Sequence, residues 1–216
     1  MIITKKNKHN IPRPTLIRLC KIYALLDEMH EIGESSISSQ DIGRRLNVGS
    51  HNIRKDMGFI DQSGISGTGY DIATIKDSIK ETLGFGRIRK ACVIGLGNLG
   101  SLLINNSMVP LPCFSIVAGF DSSINTLEIV KTAIPVYPIY EIPSVLKKDH
   151  IEVAIIAEKD LTMDSTIERL IDGGIKGIIN FTPVLLNSRD TSIEVRNIDI
   201  FSEFRYMSAL LAISGK

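Results

Sequence analysis

Three glycines and one aspartate have types and spacing that could bind a nucleotide. Val93-Ile94 is a short apolar strand running into Gly95-Leu96-Gly97-Asn98-Leu99-Gly100, and an apolar, helix-like stretch follows from Ser101 to Met108. In such a turn Gly95 permits the tight strand-to-helix reversal, Gly97 lets the backbone approach a pyrophosphate, and Gly100 lets helix pack on strand. The phosphates would meet free amides at the helix start. A plain tight turn uses the same glycines, so the discriminating residue lies further on. Asp121 stands 21 residues after Gly100, at the end of a second apolar strand, Phe114 to Phe120. There a carboxylate can accept hydrogen bonds from an adenosine ribose.

A second constellation lies nearer the N-terminus. Pro12 and Pro14 impose an extended approach, and Thr15 could cap a helix whose apolar residues Leu16, Leu19, Cys20, Tyr23 and Leu26 recur at helical spacing until Gly33. Ser38-Ser39-Gln40-Asp41 starts a short helix to Leu46, Asn47-Val48-Gly49 turns the chain, and Ser50 could cap a third helix, His51 to Ile60. In that helix Ile53, Met57 and Ile60 form the apolar stripe, and His51, Asn52, Arg54 and Lys55 lie off it. This is the layout of a helix-turn-helix, in which Asn52 and Arg54 could read base edges and Lys55 could meet phosphate. A three-helix bundle with a solvated face would look similar. The glycine-rich Ser63 to Tyr70, suited to a hairpin wing, favours DNA, and a helix from Ala73 to Leu83 follows.

Composition is compatible with both sites. The 216 residues are 44% hydrophobic, enough for a packed core, and the net charge of +1 hides an asymmetry. Residues 1–90 carry 15 Lys and Arg against 10 Asp and Glu, whereas residues 91–216 carry 10 against 14. An excess of cations in the first half suits a polyanionic partner. No apolar run approaches the roughly 20 residues that span a bilayer, and Met1 to Asn10 is polar with no apolar stretch behind it, which predicts a cytoplasmic protein. Cys20, Cys92 and Cys113 are odd in number, far apart and set among apolar residues. They read as buried small hydrophobes, neither a disulfide framework nor a metal site.

Beyond Gly86 to Lys90 strands and helices alternate: Ala91 to Ile94, Phe114 to Phe120, near Val136, Glu152 to Ala157, Gly177 to Phe181 and Ile193 to Asn197, with helices near 124–131, 144–148 and 165–172. Such alternation predicts an α/β fold, a doubly wound parallel sheet with helices on both faces. Ligands then bind at the carboxyl ends of the strands. Those ends are Gly95 to Gly100, Asp121, Ala157-Glu158-Lys159 and Asn180-Phe181-Thr182-Pro183. The final stretch, Phe201 to Ile213, carries Phe201, Phe204, Met207, Leu210 and Leu211 at helical spacing and needs an apolar groove, on its own sheet or on a partner subunit.

Taken in order, these segments resemble the Rex family of bacterial redox-sensing transcriptional repressors over nearly the whole chain. The resemblance is carried by Ile11-Pro12, Ser38-Ser39, Asn52-Ile53-Arg54-Lys55-Asp56, Gly67-Thr68-Gly69-Tyr70-Asp71, the Gly95 to Gly100 loop, Phe120-Asp121, Gly174 to Pro183 and Arg196-Asn197-Ile198-Asp199. It implies a homodimer with an N-terminal winged helix-turn-helix (residues 1–85), a Rossmann-like NAD(H)-binding domain (86–199) and a C-terminal helix (200–216) exchanged between subunits. The partner is double-stranded DNA bearing an inverted repeat, and the ligands are NADH and NAD, with NADH releasing the DNA. The ligand would lie along Gly95, Leu96, Gly97, Asn98, Leu99, Gly100, Asp121, Ser122, Ala157, Glu158, Lys159, Asn180, Phe181, Thr182 and Pro183. DNA would meet Arg13, Ser39, Arg44, Arg45, Ser50, His51, Asn52, Arg54 and Lys55. An interdomain switch would pair Arg18 with Asp199 when DNA is bound.

Several positions depart from the family pattern. Asn106 stands where a tyrosine senses the nicotinamide, Glu158-Lys159 replaces Val-Pro, Ile65-Ser66 replaces Lys-Arg in the wing, and Ile60-Asp61 replaces Phe-Gly. These substitutions keep a second reading open, a divergent regulator answering to another nucleotide or to none. A small NAD-dependent dehydrogenase has less behind it: no substrate domain follows the sheet, and His9, His30, His51 and His150 sit in no motif for a catalytic base. The expectation is therefore a regulator rather than an enzyme.

Overall fold

The computed structural model describes residues 11–62, 69–105, 112–159, 163–187 and 193–215. The chain divides into two compact units, Met1–Arg87 and Ile88–Lys216.

The first unit runs α1 (Arg13–Glu31), β1 (Ser36–Ile37), α2 (Ser39–Leu46), α3 (Ser50–Gly58), β2 (Tyr70–Asp71) and α4 (Ile72–Leu83). α1 starts directly behind Pro12, with Pro14 in its first turn where a missing N–H breaks no helical bond. Thr15, expected as the cap, is instead a buried helical residue whose hydroxyl accepts from Arg18 at 3.2 Å. The buried stripe is also turned from the expected one: Thr15, Leu19, Ile22, Leu25, Leu26 and Met29 face inward, and Leu16 and Cys20 are exposed. Apolar residues surround much of this helix, so periodicity admits more than one stripe. Packing against α3 and α4 selects among them.

α2 is capped by Ser38, whose hydroxyl accepts from the Asp41 amide at 3.0 Å. The turn after α2 is closed by the Val48 N–H donating to the Gly43 carbonyl at 2.8 Å, so tightly that a Cβ on Gly43 would overlap the Val48 carbonyl oxygen. α3 opens with Ser50 as its first helical residue behind Gly49, not with Ser50 as a side-chain cap. It closes at Gly58, two residues short of the expected end, but Ile53, Met57 and Ile60 are buried as the spacing predicts. β1 and β2 pair antiparallel, Ile37 opposite Tyr70, in a strand pairing that sequence reasoning did not find. Residues 63–68, assigned above to the wing, lie outside the described residues. Asp71 caps α4 through the Thr74 amide at 2.8 Å, and Gly84 ends it at φ +74°.

The second unit runs β3 (Arg89–Ile94), α5 (Asn98–Ile104), β4 (Phe114–Asp121), α6 (Ile124–Ile129), β5 (Val136–Pro138), a 3-10 turn (Ile139–Glu141), α7 (Ile142–Asp149), β6 (Val153–Ile156), α8 (Met163–Asp172), β7 (Gly177–Asn180), β8 (Glu194–Asn197) and α9 (Ile200–Ile213). α5 stops at Ile104 rather than Met108, and residues 106–111, Asn106 among them, lie outside the described residues. The sheet order is β5-β4-β3-β6-β7-β8 and every neighbouring pair is parallel. Two cores flank the sheet: Cys92, Ile94, Ala118 and Phe120 pack with α7 and α8, while Val93, Ile116 and Ile155 pack with α5, and an irregularity in β4 between Ile116 and Ala118 puts these two on different faces. The order reverses between β3 and β6, which opens a crevice at their carboxyl ends.

Of the cysteines, Cys92 alone is fully buried, and burial pushes its thiol pKa up to about 12. Cys20 is exposed and Cys113 is half-buried, contrary to expectation. Cys20 follows from the turned stripe of α1. α9 leaves all its residues exposed, including Phe201, Phe204, Met207, Leu210 and Leu211. No helix among the described residues is long and apolar enough to cross a membrane.

Candidate functional site

The glycine loop lies in that crevice. Gly95 has φ +83°, the left-handed conformation a side chain would strain. A Cβ on Gly100 would overlap the Gly95 carbonyl oxygen, so Gly100 is what allows α5 to start this close to β3. The Ser101 hydroxyl donates to the Leu96 carbonyl at 2.6 Å. Asp121, buried at the end of the adjacent β4, accepts from the Leu96 N–H at 2.7 Å through Oδ2 and from the Ser123 N–H at 2.8 Å through Oδ1. Both oxygens are thereby oriented, and each keeps capacity for a further donor such as a ribose hydroxyl. A cleft of about 270 Å³ opens beside them, lined by Gly95, Gly97, Asp121, Ser122, Glu158 and Lys159 and also by Ser123, Thr126 and Ile139. The last three were not foreseen. Ser123 and Thr126 belong to the cap and first turn of a helix whose start the sequence located only approximately.

Glu158 follows β6 and crosses the switch point to the loop. Its Oε2 accepts from the Gly97 N–H at 3.2 Å. The side chain is exposed, as is that of Lys159.

The loop after β7 is organised by Asn180, which is fully buried. Its Nδ2 donates to the Val184 carbonyl at 2.7 Å and to Asn197 Oδ1 at 2.8 Å, and its Oδ1 accepts from the Thr182 amide at 3.0 Å and hydroxyl at 2.8 Å. Asn197 in β8 continues the network, accepting from the Leu186 N–H at 3.1 Å and donating to its carbonyl at 3.0 Å. Asn180 and Thr182 thus hold the loop's shape, while Pro183 is exposed and Phe181 is half-buried against the α5 face of the sheet. Among the described residues no group of three or more His, Cys, Asp or Glu side chains could hold a metal ion.

In the first unit, His51, Asn52, Arg54 and Lys55 are all exposed on α3, with Ser50 half-buried at its start. Arg54 donates to the Ser39 hydroxyl at 3.2 Å, which ties α3 to the start of α2. It also lies near the buried Tyr70, whose phenol burial pushes above its ordinary pKa and the Arg54 charge pulls back. Arg44 and Arg45 are exposed in the last turn of α2, Arg44 paired with Asp41, and Arg13 is exposed at the start of α1. Asp41 is held below the usual carboxylate range, chiefly by the Ser38 hydroxyl.

Arg18 and Asp199 each have a partner within their own unit. Arg18 grips the buried Asp56 of α3 through two bonds, Nε to Oδ2 at 2.6 Å and Nη2 to Oδ1 at 2.8 Å. Asp56 was singled out only as part of a motif, and nothing in the spacing marked it as buried. Asp199 caps α9, accepting from the Ser202 amide at 3.1 Å and hydroxyl at 2.5 Å, which lowers its pKa.

Residues 10–58 match the family described as "Putative DNA-binding protein N-terminus", and residues 87–184 match the "CoA binding domain" family. The redox-sensing transcriptional repressor Rex of an Exiguobacterium species is 30% identical over 200 residues, covering 93% of this chain and 91% of the relative. Rex 1 of Thermotoga maritima is 33% identical over 201 residues, covering 92% and 94%. The chain belongs to the Rex family of redox-sensing transcriptional repressors. The expected winged-helix and parallel α/β architecture agrees with this membership. RSP, a Rex-family repressor, superimposes with a TM-score of 0.84 at 22% identity over 95% of this chain and 96% of its own. RSP has been solved in complex with beta-NAD+ and operator DNA, and with beta-NADH.

Proposed function

We propose that this Rex-family protein is a cytoplasmic homodimer that binds an inverted-repeat operator through α3 and is released from it by NADH but not by NAD. The observation that carries the reading is the glycine loop closed on a buried, oriented Asp121 in a chain whose other unit holds the helix-turn-helix. The complexes reported for RSP, with NAD+ and operator DNA and with NADH, support the same assignment. In this reading Gly95 to Gly100 face the pyrophosphate, Asp121 and Ser122 the adenosine ribose, and the loop built by Asn180 and Thr182 flanks the nicotinamide end with Ala157, Phe181 and Pro183. Residues 1–85 read DNA, 86–199 bind the nucleotide, and 200–216 form the dimer through the apolar face of α9, exchanged between subunits. The switch pairs Arg18 with Asp199; each must first leave its present partner, Asp56 or the Ser202 cap.

The test is titration of the purified protein, bound to a palindromic operator, with NADH and with NAD, reading DNA release. Release by NADH alone is expected. Binding indifferent to both nucleotides would overturn the redox reading and leave a regulator with another signal.

A companion measurement addresses the ribose. Asp121→Ala should weaken NADH binding by about 1–3 kcal/mol, the range for losing a charged hydrogen bond. Asp121→Asn keeps one acceptor for Leu96 and should lose less. Unchanged affinity in both variants would mean that Asp121 does not hold the ribose.

A further inference from the structure

The crevice contains one group that opposes the ligand proposed for it. A pyrophosphate bound at a glycine loop accepts hydrogen bonds from the loop's amides, and the approach is close because no Cβ intervenes. Here the Gly97 amide already has an acceptor, Glu158 Oε2, at 3.2 Å. The contact is steric as well as polar. A Cβ on Gly97 would overlap that same oxygen, and one on Gly95 would lie 2.6 Å from Glu158 Cβ and 3.1 Å from its backbone nitrogen. Glu158 therefore fills the space that the absence of side chains creates, its Cβ and backbone at Gly95 and its carboxylate at Gly97. A phosphate cannot share it, for reasons of volume and of charge.

We infer that Glu158 is an internal stand-in for the pyrophosphate, a residue that sets the nucleotide concentration at which the site fills. The inference rests on the dinucleotide reading above. Its mechanics follow from the packing: the Glu158 backbone and Cβ are pinned against Gly95, so the carboxylate leaves by rotation beyond Cβ, into solvent to which the side chain is already exposed. Lys159, which lines the same cleft, is the cation available to the incoming phosphate. Because NADH and NAD carry the same pyrophosphate, Glu158 raises the threshold for both and leaves their discrimination to other residues. The carboxylate thus makes the site respond to the size of the dinucleotide pool as well as to its redox ratio.

The experiment is calorimetric titration of the wild type, Glu158→Ala and Glu158→Gln with NADH, NAD and adenosine. Glu158→Ala should bind NADH and NAD about tenfold more tightly than the wild type, the order expected when one solvated, charge-assisted hydrogen bond no longer has to be broken. Glu158→Gln loses the charge but keeps an acceptor for Gly97 and should fall between the two. Adenosine, which has no phosphate, should bind all three proteins alike, and the gain for NADH should shrink as salt is raised. Unchanged or weaker NADH binding in both variants, with thermal unfolding as in the wild type, would overturn the inference while leaving the dinucleotide site standing. Absence of saturable NADH and NAD binding by all three proteins would instead remove the dinucleotide reading, and this inference with it.

Discussion

Arg54→Ala should abolish recognition of the inverted-repeat operator while leaving the protein folded. Loss of a specific contact to a base edge costs about 1–3 kcal/mol, and in the proposed homodimer the substitution is made in both half-sites, so roughly 2–6 kcal/mol of operator affinity is at stake. That is between about 30-fold and more than 10⁴-fold in Kd. The structure indicates why the fold should survive. Arg54 is exposed, it donates to the half-buried Ser39 hydroxyl, and the buried residues that anchor α3 are Ile53, Asp56 and Met57. Fluorescence anisotropy with a palindromic duplex and a random duplex, alongside thermal unfolding, gives the result. Specific binding as tight as that of the wild type at moderate salt would mean that α3 is not the reading helix.

The second large effect is on stability. Arg18→Ala should destabilise the first unit by about 3–5 kcal/mol, because it strands a carboxylate that is 1% exposed. Both Asp56 oxygens are satisfied by the one guanidinium, at 2.6 and 2.8 Å, and this fork joins α1 to the helix that carries Arg54 and Lys55. Its planar geometry is what Arg supplies and Lys does not, so Arg18→Lys should recover only part of the loss. The double variant Arg18→Ala/Asp56→Ala should be more stable than Arg18→Ala alone, since no unpaired charge remains inside. Urea denaturation decides it. A single variant as stable as the wild type would show that water reaches Asp56 and that the clamp contributes little. The same clamp bears on the proposed switch: moving Arg18 to Asp199 leaves Asp56 in the state the Arg18→Ala variant creates permanently, so the DNA-bound form must find it another partner.

The two units differ in how legible they were from sequence. In the second, strand positions followed from short apolar runs bounded by turns, and the parallel order followed from their alternation with helices. Helix ends were less legible. The glycines before α5 marked its start, but it stops at Ile104, where the polar run Asn105-Asn106-Ser107 begins, rather than at Met108. In the first unit the helix-turn-helix was legible because Asn47 and Gly49 interrupt two short amphipathic segments. The face of α1 was not, because its Leu and Ile residues lie on several sides and the neighbours α3 and α4 decide which side is inside. β1 is only two residues long and exists only where β2 pairs with it, so no local pattern announced it.

By itself the sequence determined the elements whose physics is local. The glycine turn, the strand ending in Asp121, the alternation of strand and helix, and the polar, basic start of α3 depend on backbone conformation and side-chain type within a few residues. Tertiary structure alone decided which distant groups meet. Glu158 reaches Gly97 across 61 residues of chain because the sheet order reverses between β3 and β6, and Arg18 reaches Asp56 across 38 because α1 packs on α3. Such contacts are set by how strands are ordered and helices are packed, and neither leaves a trace in the spacing of the residues concerned.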